Sequence, residues 1–109
     1  MADAKTKDPT LKKIVAALKK EFSPTRLFIF GSRASETHSQ SSDYDFVVVV
    51  KKMQGNRVAN MFRARKALEH LGVHADVFVY PEKEFEEWKD ELSSIPETAL
   101  HTGRELDLG

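Results

Sequence analysis

The run Phe46-Val47-Val48-Val49-Val50 constrains the fold more than any other stretch of the chain. Five consecutive apolar residues, four of them β-branched, read as a strand; successive strand residues point to opposite faces, so both faces must be covered. Two shorter runs, Leu27-Phe28-Ile29-Phe30 and Val77-Phe78-Val79-Tyr80, read as its neighbours. The expected strands are Arg26 to Phe30, Tyr44 to Val50 and His74 to Tyr80. Leu11, Ile14, Val15, Leu18 and Phe22 recur at helical spacing, which predicts a helix from Leu11 to Phe22, capped by Thr10 and stopped by Ser23-Pro24. Val58, Met61, Phe62, Leu68 and Leu71 line one side of a second helix, with Arg57, Arg63 and Lys66 turned to solvent and Gly72 as its C-cap. Pro81 opens a third helix through Leu92, with Phe85 and Trp88 expected in the core. A short helix near Glu97 to Thr102 and an extended piece from Arg104 to Leu108 complete the reading. The class is α/β (α+β): a mixed sheet with flanking helices, in a single domain spanning residues 1–109.

Polar residues at the strand ends carry the chemistry. Gly31-Ser32 follows the first strand, and the Arg33-Ala34-Ser35-Glu36 segment after it can form a helical turn whose free N–H groups face an anion. Arg33 is placed to touch phosphate oxygens. With ten residues between, Ser32 is followed by Asp43-Tyr44-Asp45, two carboxylates on one face of the second strand, with Tyr44 directed to the other face. A third acid, Asp76, begins the third strand. A right-handed crossover makes the second and third strands parallel, so all three acids lie at one sheet edge; Gly31-Ser32 reaches that edge only if the first strand runs antiparallel. Three converging carboxylates repel one another unless cations neutralise them, and magnesium, which shares its shell with phosphates, is the expected neutraliser. Two such ions beside a phosphate turn describe nucleotidyl transfer.

Composition narrows the setting. The chain has 109 residues, no cysteine and 17 Lys+Arg against 17 Asp+Glu. Disulfides and thiolate metal sites are therefore excluded, and free-standing nucleic-acid binding by a strongly basic surface is not expected. No apolar stretch approaches membrane-spanning length and Met1 to Pro9 lack the apolar core of a signal peptide, so a cytoplasmic location is expected. The charge is unevenly spread: residues 82–109 hold nine acids and three bases, leaving residues 1–81 net positive by six. A positive half that contains the phosphate turn suits a polyanionic nucleotide, and a negative tail suits a basic partner or a solvated helix.

Phe28-Ile29-Phe30-Gly31-Ser32-Arg33-Ala34, Ser42-Asp43-Tyr44-Asp45-Phe46-Val47 and Ala75-Asp76-Val77 stand in the order of a known family. The chain resembles the minimal nucleotidyltransferases of the DNA polymerase beta superfamily, whose signature is Gly-Ser, ten residues, then Asp-x-Asp. The spacing alone arises by chance in roughly one chain in a thousand of this length. The resemblance implies that Gly31 and Ser32 bind the triphosphate of ATP, and that Asp43 and Asp45 ligate magnesium. It implies that Asp76 completes the metal site and helps deprotonate the acceptor hydroxyl. It further implies an antitoxin of HEPN/MNT toxin–antitoxin pairs, transferring AMP to a tyrosine of a HEPN-domain partner, as a homo- or hetero-oligomer. The alternatives are transfer to a small molecule or an RNA end, and a non-enzymatic antitoxin that acts by covering its partner.

Overall fold

The computed structural model describes residues 9–31 and 44–109. Helix α1 (Pro9–Phe22) buries Leu11, Ile14 and Leu18 on one stripe, while Lys12, Lys13, Lys19 and Lys20 stay exposed. It ends where Ser23, at φ 48°, donates its N–H to the Lys19 carbonyl at 3.0 Å and Pro24 forbids continuation. Strand β1 (Arg26–Phe30) follows, and β2 (Tyr44–Val50) is paired with it antiparallel.

Helix α2 (Arg57–Leu68) starts at Asn56, whose side-chain oxygen accepts the Ala59 N–H at 2.7 Å. Buried Asn60 donates its amide group to the Gln54 and Asn56 carbonyls, at 2.7 and 2.8 Å, which ties the helix start to the preceding turn. A 3-10 turn at Glu69–Leu71 is closed by Gly72 in the left-handed region, the expected C-cap. Strand β3 (Ala75–Pro81) pairs parallel with β2, and the helix between them makes the crossover. Helix α3 (Glu82–Trp88) is shorter than its periodicity suggests. The chain turns from Lys89 to Ser93 instead of reaching Leu92, because Ser94 caps α4 (Ile95–Thr102) by accepting the Glu97 N–H at 3.2 Å. Strand β4 (Arg104–Glu105) then pairs antiparallel with β1.

Among the described residues the sheet has the order β3-β2-β1-β4 and is mixed, as the placement of Gly31 requires. One face, through Tyr44, Phe46, Val48, Val50, Val77 and Val79, packs on α1 and α2. The other, through Phe28, Val47, Val49 and Tyr80, packs on α3 and α4, where Phe85 stacks on Phe28 at 5.3 Å. The four valines thus divide between two cores. Three apolar residues depart from expectation: Val58 and Phe62 of α2 are 61% and 62% exposed, and Trp88 is 49% exposed. Arg57, expected in solvent, is instead held between elements: its Nε donates to the Val79 carbonyl at 3.1 Å, it pairs with Glu84, and it lies 4.1 Å over the Tyr80 ring.

Candidate functional site

Strand register brings the acids together. Asp45 of β2 is the direct partner of Asp76 of β3, one strand spacing away, about 4.8 Å. On the other side Asp45 is paired with Phe30 of β1, so Phe30, Asp45 and Asp76 form one row across three strands. The row lies on the face that packs against α3 and α4, since Val47 and Val49, at i+2 and i+4 from Asp45, belong to that core. Tyr44 packs on the opposite face and stacks on Phe46 with ring centres 6.0 Å apart, as alternation predicts.

Gly31 follows Phe30 directly and adopts φ +75°. A Cβ at this position would lie 2.5 Å from the Oδ2 atom of Asp45. Glycine is therefore required twice over: for the left-handed backbone that turns the chain out of β1, and for the space the Asp45 carboxylate occupies. The turn and the carboxylate are in direct proximity, which is the juxtaposition a phosphate-bound cation needs. Ser32, Arg33 and Asp43 lie outside the described residues. Of the six sequence-derived site residues, Gly31, Asp45 and Asp76 are thus brought to one edge.

These residues fit a hard divalent cation. The donors are carboxylate oxygens on adjacent strands, and the glycine leaves the space beside Asp45 clear of side chain. Among the described residues no group of three or more His, Cys, Asp or Glu side chains is close enough to hold a metal by itself. Asp43 would supply the third carboxylate.

An aromatic pair beside the acids adds to the site that the sequence motifs outline. Phe78, two residues beyond Asp76 and on the same face, reaches across β2 to Phe30, with ring centres 6.1 Å apart. Both rings are partly buried against the α3/α4 core and border the row of acids on its inner side. The signal for this lies in the i, i+2 spacing of Asp76 and Phe78 and in the pairing of Phe30 with Asp45.

The end of α4 supports the turn from the C-terminal side. A Cβ on Gly103 would come within 2.5 Å of the Ile29 carbonyl oxygen and 2.9 Å of the Phe30 Cβ. The absence of a side chain there lets the chain enter β4 against the last residues of β1, adjacent to Gly31.

Comparison with known proteins bears on the family and the fold. The family model described as a nucleotidyltransferase domain matches residues 11–101, from the first buried residue of α1 to the last turn of α4. Among solved structures, the chain is similar to the toxin-antitoxin MntA-HpeT in a mutant form. That likeness has 16% sequence identity and a TM-score of 0.62, and covers 88% of this chain and 70% of the other. At that identity it bears on the fold. None of the curated proteins matches the sequence.

Proposed function

The chain belongs to the nucleotidyltransferase domain family, and on that basis we propose that it transfers AMP from ATP to a hydroxyl, a tyrosine of a HEPN-domain toxin partner, and so acts as an antitoxin. The observation that carries the transferase chemistry is the row in which Asp45 and Asp76 stand in register beside Gly31. The antitoxin reading draws support from the fold shared with the MntA-HpeT toxin-antitoxin structure. That structure's protein carries two Asp-to-Glu replacements two positions apart, the spacing of Asp43 and Asp45 here.

Each residue has a role in this reading. The backbone N–H groups of the Gly31-Ser32 turn hold the triphosphate, with Arg33 against its oxygens. Asp43, Asp45 and Asp76 would hold magnesium, two ions in this reading, which would neutralise the carboxylates and withdraw charge from the phosphate oxygens. The acceptor oxygen attacks the α-phosphorus, its proton passes to the carboxylate of Asp76, and the bond to the β-phosphate breaks to release pyrophosphate. The O–P bond formed leaves AMP on the acceptor, adding negative charge where a ribonuclease must bind RNA.

The test is incubation of purified protein with ATP labelled on the α-phosphate, magnesium and lysate from its own source, with Asp45→Asn in parallel. Label on a protein band that is absent with Asp45→Asn supports the proposal and identifies the acceptor. Binding of ATP without label on any protein would overturn protein modification in favour of a small-molecule or RNA acceptor. Protection from the toxin that survives Asp45→Asn would favour inhibition by binding alone.

A further inference from the structure

Two exposed apolar patches of opposite charge lie on opposite layers of the molecule. The first is on α2, where Val58 and Phe62 are 61% and 62% exposed and stand one turn apart. Arg65 and Lys66, both exposed, continue the same stripe toward the helix C-terminus, and the Arg65 guanidinium lies 5.9 Å from the centre of the Phe62 ring. The second patch is at the end of α3, where Trp88 is 49% exposed and Leu92, in the following turn, is 86% exposed. Exposed Glu87, Asp90 and Glu91 flank these two residues in the chain, and Lys89 among them is paired with Glu86 at 2.7 Å.

We infer that the α2 patch of one copy of this chain docks on the α3 patch of a second copy. The complementarity is one of sign: docking sets Val58 and Phe62 against Trp88 and Leu92, and Arg65 and Lys66 among Glu87, Asp90 and Glu91. A contact of α2 with α2 would bring cation against cation, and of α3 with α3 acid against acid. Charge therefore favours contact of unlike patches, and because these lie on opposite layers of the sheet the arrangement is head-to-tail rather than two-fold.

The two helices cover opposite faces of the sheet, and Arg57 links their starts through its contacts with Val79 and Glu84. A docked pair consequently leaves one α2 patch and one α3 patch free, so the contact is heterologous and adds copies beyond two, as a ring or an open chain. This assembly does not depend on nucleotide transfer.

The test is sedimentation of the purified full chain across a wide concentration range at low and high salt. The expected result is a mass that rises past two chains with concentration and falls when salt screens the charges. Two double variants extend it: Arg65→Glu with Lys66→Glu, and Glu87→Lys with Glu91→Lys. Each alone is expected to sediment as one chain, with unchanged circular dichroism, and an equimolar mixture of the two is expected to assemble again, because each then offers what the other lacks. A wild-type chain that stays at the mass of one copy under all conditions would overturn the proposal and leave both patches to a different protein. A two-chain species that does not grow, or a mixture that fails to assemble, would overturn it equally.

Discussion

Four residues along β2 separate two rows of the same sheet that treat charge in opposite ways. In the row Phe30, Asp45 and Asp76, two acids stand side by side on neighbouring strands. In the row Arg26, Val49 and Tyr80, the charges nearby meet opposite charges. Arg26 forms a two-pronged bond to Glu105, at 3.0 and 2.8 Å, and its guanidinium lies 4.9 Å over the Phe28 ring. Arg57 covers Tyr80, whose hydroxyl is held above its ordinary pKa mainly by burial. Ion pairs and ring contacts serve the fold at this end, whereas two carboxylates on neighbouring strands repel each other and suit a ligand of opposite charge. On the proposed function, stability belongs to one end of the sheet and chemistry to the other.

The comparison can be broken by substitutions at each end. Phe85 is fully buried against Phe28 beneath Arg26, so Phe85→Ala should cost about 3–5 kcal/mol in denaturant unfolding. A loss below about 1 kcal/mol would mean that α3 contributes little to the core. Asp76→Asn should behave in the opposite way: nucleotide transfer falls at least about 100-fold while the melting temperature holds or rises. A variant that melts well below the wild type would show that Asp76 belongs to the fold.

Gly31→Ala lies between these extremes. Its φ of +75° and the 2.5 Å approach to Asp45 Oδ2 predict a loss of about 1–3 kcal/mol together with weaker ATP binding, measurable by calorimetry on the same sample. Unchanged ATP affinity would detach the turn from the site.

The smallest effect concerns Glu105, whose pKa is held below the ordinary glutamate value by its hydrogen bonds to Arg26. A depressed folded-state pKa contributes stability that is present above the unfolded value and lost as pH falls through the folded one. Glu105→Gln should therefore flatten the acid limb of the stability curve below about pH 4.3 and lower neutral stability by about 0.5 kcal/mol or less, since both side chains are partly solvated. An unaltered acid limb would show that the fork contributes nothing in solution.

Much of this division is legible in the sequence. The strands at Arg26–Phe30 and Tyr44–Val50 follow from short apolar runs bounded by breakers, and the antiparallel direction of β1 follows from the need to bring Gly31 to the acids. The inward packing of Phe85 is equally readable. The exposure of Trp88, Val58 and Phe62 is not: Val58 and Phe62 lie on the side of α2 opposite to Asn60, Ala64 and Leu68, and which side of a helix faces the core is decided by what packs on it rather than by the count of apolar residues. Gln54 and Asn60 anchor α2 such that Ala64 and Leu68 supply its buried face and Val58 and Phe62 are left outside.

That a strand covered on both faces is preceded by acids and approached by a glycine turn follows from the order of residues along the chain, because side-chain alternation and the conformational freedom of glycine are local properties. That Asp45 faces Asp76 residue for residue, and that its carboxylate fills the space a Gly31 side chain would need, follows only from the folded arrangement. Register and close approach depend on how strands far apart in the chain slide against one another, and that is set by the packing of two cores at once rather than by any segment alone.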